Sequence, residues 1–212
     1  MRKTNQETNQ SSATTARILT HVSKFGGISA ILVVVVLLAS ILSFFVAMPG
    51  LGLRNWLIIL FEMNIGIGNL PQNPLLILNP LDFAVLVLVG ITFIGLRPEF
   101  GRLSRAGMLL AIVLPFLGIA LLIATSLSGR SSVMAAGLVT AFLMIGSTYF
   151  SKPLALTGIV ANAFLLGADI MSSIFLAPLI AFFVGIGYIL LVAWFLLIGA
   201  RLLGWKRITQ DG

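Results

Sequence analysis

Six apolar runs, each near the length that crosses a bilayer, divide this chain at 27–48, 81–96, 106–126, 132–150, 153–170 and 178–203. A hydrocarbon layer about 30 Å thick takes roughly 20 residues of helix, with about 17 to 25 tolerated. In lipid every backbone N–H and C=O must find its partner within the protein, so runs of this kind become helices. Composition leaves little room for a water-soluble alternative. Charged residues make up 9% of the chain and hydrophobic ones 59%, whereas a soluble domain is about 25% charged. The expected fold is an all-α integral membrane protein with six transmembrane helices. Its membrane domain covers 24–205, between a polar tail at 1–23 and a short tail at 206–212. The first tail is rich in Thr, Asn, Gln and Ser, which bury too little apolar surface to offset ordering entropy, and it is expected to be disordered. The first apolar run is longer than a signal-peptide core, follows a long polar leader and lacks a small-residue cleavage site, so it reads as an uncleaved first span.

Lys and Arg set the orientation. With the N-terminus inside, the inner segments hold Arg2, Lys3, Arg17, Lys24, Arg97, Arg102, Arg105, Lys152, Arg201, Lys206 and Arg207, which is 11 of the 13 basic residues. Only Arg54 and Arg130 fall outside. Basic residues accumulate in cytoplasmic loops, so both ends are expected in the cytoplasm of a cell that carries this protein in its plasma membrane. The net charge of +7 is spread between and beside the apolar runs rather than gathered in a patch. It is a topology signal, and nucleic acid is not an expected partner. Trp205 and Tyr149 sit where interface anchors belong, and Arg201 can extend its charge toward the same surface.

One long connection, 49–80, lies on the outer side. Its apolar stretch 53–65 carries Arg54, Asn55, Trp56 and Glu62, and reads as an interfacial or re-entrant helix. The Gly- and Pro-rich remainder reads as an irregular lid.

Few side chains could carry chemistry. The chain has no Cys and one histidine, His21, which lies ahead of the first apolar run. Thiolate sites, multi-His metal sites and a haem with two axial histidines are therefore excluded. Glu62, Asp82 and Asp169 are the outer acids. Asp82 follows Asn79 and Pro80, which fits a helix start with Asn79 as cap, Pro80 first and an acid in the first turn. Asp169 closes the fifth run seven residues after Asn162, so both share a helical face with Ala155 and Gly158. Small residues and an Asn on one stripe point to close helix packing with an interhelical hydrogen bond, and a polar path is the sharper alternative. An intramembrane aspartyl pair of Asp82 and Asp169 would lack the Tyr-Asp and Gly-x-Gly-Asp signatures. Tyr188 falls mid-span, and its hydroxyl needs a partner such as Thr92, Ser147 or Asn162. Pro115 should bend the third span by freeing the carbonyl of Ala111.

The order Ala16-Arg17-Ile18 before a Gly-led first span, Asn79-Pro80-Leu81-Asp82 opening a later one, and Ala193-Trp194-Phe195 with Gly199-Ala200-Arg201-Leu202-Leu203 at the close resembles uncharacterised prokaryotic multi-pass membrane proteins of a domain-of-unknown-function family. The resemblance is scattered over most of the chain, which is shorter than that group between the third and fourth spans. It implies a fold class and no catalytic residues.

Three functional readings follow. The preferred one is a membrane-embedded structural or accessory protein whose partners are the lipid bilayer and other membrane helices, its own copies included. No charge lies at a span centre, where transport and proton relay usually place one. The second is a small oligomeric transporter or channel using the Asn162 and Asp169 face. The third is an interfacial enzyme working through Glu62, Asp82 and Asp169, and it ranks last because no nucleophile is visibly paired with a base. An apolar pigment or quinone held without axial ligands leaves no motif, so the residues assign no cofactor.

Overall fold

The computed structural model describes residues 2–47, 80–100, 103–125, 130–172 and 177–204, and among them every regular element is a helix. In chain order these are α1 (Arg2–Ala47), α2 (Pro80–Gly95), α3 (Arg97–Phe100), α4 (Arg105–Thr125), α5 (Arg130–Ile145), α6 (Lys152–Ser172) and α7 (Ala177–Leu202). A helix covers most of each of the six apolar runs, although the fourth, expected to reach 150, stops at Ile145, and α3 is a single turn within the basic connection between α2 and α4. Among the described residues two helices are long and apolar enough to cross a membrane, at Ile18–Ala39 in α1 and Phe182–Leu202 in α7. Shorter apolar helices cover Phe83–Gly95, Arg105–Ala120 and Ser131–Ile145. The expected outer segment 49–80, with Glu62, lies outside the described residues.

The tail 1–23, expected to be disordered, lies within α1, which begins at Arg2. The costly step in helix formation is the first turn, and the apolar half of α1 has already made it. Extending that helix through Thr, Asn, Gln and Ser costs only about 0.7 kcal/mol per residue or less relative to Ala. At about 1.5 Å per residue the 46 residues of α1 make a helix on the order of 70 Å long.

The six long helices pack as a closed ring. α1 lies against α2, α2 against α4, α4 against α5, α5 against α6, α6 against α7, and α7 returns to α1. Neighbours run in opposite directions. Gly26 meets Gly95 while Ser29, three residues on, reaches back to Leu88, so α1 and α2 are antiparallel. Gly187 packs on Leu165 and Trp194 on Gly158, which gives the same answer for α6 and α7.

Two adjacent glycines close the ring. Consecutive helical residues point about 100° apart, so Gly26 and Gly27 face different neighbours. Gly26 meets the Cα of Gly95 on α2, and a Cβ at Gly27 would sit 3.0 Å from Leu202 Cβ and 3.2 Å from Gly199 O on α7. The missing side chains let α1 wedge between the two. Ser29 then donates from Oγ to Leu88 O at 2.7 Å, and Thr92 Oγ1 donates to the same carbonyl at 2.9 Å.

One end of the ring gathers the basic residues. His21 and Lys24 on α1, Arg97 on α3, Arg105 on α4 and Lys152 on α6 are exposed there. The end is knitted together below them. Phe100 is fully buried and packs on Phe150 at 5.6 Å between ring centroids. Ser104 caps α4, its Oγ accepting from Gly107 N at 3.0 Å. Tyr149 Oη donates to Arg201 O at 3.0 Å, Arg201 Nε donates to Tyr149 O at 3.1 Å, and the guanidinium lies 4.9 Å from the Tyr149 ring centre. Arg201 thus folds back to join the end of α7 to the α5–α6 connection. α7 is followed by a turn at Gly204, whose φ of 79° suits a residue without Cβ, with Leu203 N donating to Gly199 O at 2.9 Å.

The interior is filled by Trp194, Phe93, Leu96, Met144, Leu165 and Ile198, all fully or almost fully buried. Phe93 meets the Trp194 ring edge-on at 6.4 Å between centroids. Large apolar side chains also cover the outside, among them Leu109, Phe142, Leu156, Phe182 and Ile189.

Candidate functional site

Among the described residues the buried polar side chains are Ser29, Thr92, Thr140 and Asn162, none of them charged. Ser29 and Thr92 are bonded to the Leu88 carbonyl, so attention falls on Asn162 and its surroundings.

Asn162 is 2% exposed, on the face of α6 that also carries Ala155 and Gly158. Its Nδ2 donates to Gly158 O at 2.8 Å, one turn back in the same helix. The interhelical bond expected of Asn162 is therefore not made by Nδ2. What crosses to α5 is packing, because the carboxamide lies directly over Gly137 and a Cβ there would overlap it. One turn along α6 the arrangement is reversed, and Gly158 receives the indole of Trp194 from α7. The small residues of α6 thus serve both neighbours at once.

Two buried polar atoms in this region, Thr140 Oγ1 on α5 and Trp194 Nε1 on α7, have no hydrogen-bond partner among the described residues. Neither is among the candidate site residues read from the sequence. A Trp in the middle of an apolar run is the available signal, since an indole N–H needs an acceptor when buried.

Asp169 is half-buried in the last turn of α6 and accepts a hydrogen bond from Ser131 Oγ in the first turn of α5. A carboxylate beside a helix N-terminus is favoured by the partial positive charge of the free N–H groups. This bond joins α5 to α6 at the end of the ring opposite His21, Lys24, Arg97, Arg105 and Lys152. Asn162 and Asp169 share a helix and a side of it, but the first packs inside the bundle and the second ties two helix ends together.

Asp82 is the third residue of α2, in its first turn after Pro80. α2 and α6 are not neighbours in the ring. Glu62 lies outside the described residues.

Tyr188 is half-buried on α7, next to Gly187, which packs on Leu165 and the Ala161 carbonyl of α6. The three partners predicted for its hydroxyl are bonded elsewhere. Thr92 donates to Leu88 O, Asn162 to Gly158 O, and Ser147 Oγ accepts from Tyr149 N at 3.1 Å. Short polar side chains in apolar helices find carbonyls or N–H groups on nearby backbone before they find a distant hydroxyl.

Pro115 is buried within α4, which continues through it to Thr125. No family model, no curated protein and no solved structure matches this chain.

Proposed function

We propose that this chain is a six-span protein of the cell membrane, with both ends on the cytoplasmic side, and that it serves as a structural or accessory component. It works through helix–helix contacts with other membrane proteins. The observation that carries this reading is the combination of a filled, uncharged interior with an apolar exterior. Trp194, Phe93 and Met144 occupy the inside of the ring, and the buried polar groups described there are all neutral. Ion and proton pathways ordinarily place ionisable residues inside the membrane. The exposed Leu, Ile, Val and Phe side chains suit lipid or the apolar helices of a partner. Exposed basic residues gathered at one end support the inward orientation of that end. The kinship with uncharacterised prokaryotic multi-pass membrane proteins belongs to the same proposal.

Purification of the tagged full chain from its native membranes in mild detergent tests the proposal. A partner recovered in fixed stoichiometry is the expected result, and its identity would name the process. A chain recovered alone or only with its own copies contradicts the accessory role. Attention would then turn to flux along the Asn162 and Asp169 face, read with Asp169→Asn.

A further inference from the structure

The polar atoms around Asn162 come from three helices and meet at one level. α5 and α6 are antiparallel neighbours joined by the short connection 146–151. Gly137 faces Asn162 across that pair, so Thr140, three residues further along α5, is level with Ile159, beside Gly158. Gly158 carries the Trp194 indole. A hydroxyl, a carboxamide and an indole N–H therefore fall within about one helical turn, roughly 5.4 Å, along the bundle. Thr140 and Trp194 are fully buried and Asn162 nearly so. Thr140 Oγ1 and Trp194 Nε1 are the two buried side-chain atoms left without a protein partner among the described residues.

We infer that this level of the bundle is a binding site for a single water molecule that links α5, α6 and α7 through Thr140, Asn162 and Trp194. The donor and acceptor inventory selects the occupant. The indole N–H only donates, the Thr140 hydroxyl does both, and the Asn162 oxygen accepts once its Nδ2 is committed to Gly158 O. A water accepts from Trp194 Nε1 and donates to Thr140 Oγ1 and Asn162 Oδ1. These make about three hydrogen bonds, the usual number for a buried water. The carbonyl of an apolar ligand could accept from the indole and from the Thr140 hydroxyl but has no hydrogen to give the Asn162 oxygen.

The test uses the full chain in detergent with ¹⁵N-labelled tryptophan. The chain has three Trp residues, and Trp194→Phe identifies the signal of interest. The Trp194 indole proton is expected to show a magnetisation-transfer cross-peak to a long-lived water, and Thr140→Ser is expected to keep it. Thr140→Val preserves shape and removes the hydroxyl. It is expected to lower the melting temperature by about 2–4 °C, the shift typical of one lost interaction in a chain of this size. A dry interior reverses that sign, because removing an unpaired buried hydroxyl is neutral or stabilising. An indole proton with no water cross-peak, or with one to a non-exchanging ligand, overturns the inference. So does a valine variant that melts at or above the parent temperature. The cross-peak is read on the unsubstituted chain, so it decides the matter even where the valine variant fails to fold.

Discussion

At Gly26 and Gly95 the two helix backbones are in contact, and no side-chain rotation can make room there. Replacing Gly26 with Leu forces α1 away from α2 and breaks the wedge that closes the ring. Overpacking a core commonly costs about 1–3 kcal/mol, and backbone against backbone belongs at or above the upper end. Thermal unfolding of Gly26→Leu in detergent is expected to show a markedly lower midpoint, whereas Ile28→Leu, on the exposed side of the same turn, should leave it unchanged. Tyr149→Phe is a gentler test. It removes the bond from Oη to Arg201 O and retains the ring beneath the guanidinium. A loss of about 1 kcal/mol is expected, with Arg201→Ala costing more because it also removes the return bond to Tyr149 O. Individual residues were only partly legible in the sequence. The stripe of Asn162 and Asp169 could be read from helical spacing, and so could the need for an interhelical bond along it. Which residue makes that bond could not, because Ser131 is 38 positions away from Asp169. The partners of Gly26 and Gly137 were hidden for the same reason: a glycine marks a close approach without naming what approaches.

Helices were the most legible level. Their number and rough extent follow from apolar runs of bilayer length, and Pro80 opens α2 as its position predicts. At the start of α1 composition argues for disorder, while the helix continues outward from an apolar segment able to nucleate it. α3 was also missed. A single turn has no periodicity to detect, and it is held by Phe100, which packs into the bundle and donates from its backbone N to Leu96 O at 3.2 Å. The start of α4 carries a local signal in Ser104, whose hydroxyl accepts from Gly107 N. Ser104→Ala leaves that N–H unpartnered and is expected to cost about 1 kcal/mol, within the 0.5–2 kcal/mol typical of such caps. The loss should appear as faster hydrogen exchange in the first turn of α4 and not in α6.

As a whole the molecule is a ring of alternating helices, and much of that arrangement follows from connection lengths. The short links between α2 and α4 and between α5 and α6 oblige antiparallel neighbours. Closure of α7 onto α1 has no such local cause. It depends on Gly27 and Gly199 meeting across most of the chain's length, which no window of sequence reports. The charge asymmetry adds orientation, since exposed His21, Lys24, Arg97, Arg105 and Lys152 gather at one end while the Ser131–Asp169 bond lies at the other.

The central claim, six crossings with the basic end inside, is open to a direct measurement because the chain contains no cysteine. Single cysteines placed at Ser11, Ser128, Ser151, Ser173 and Thr209 can each be exposed to a membrane-impermeant maleimide on intact cells and again after permeabilisation. Ser128→Cys and Ser173→Cys should react on intact cells, while Ser11→Cys, Ser151→Cys and Thr209→Cys should react only once the membrane is opened. Labelling of Ser151→Cys from outside, or protection of Ser128→Cys until permeabilisation, would contradict the six-span arrangement.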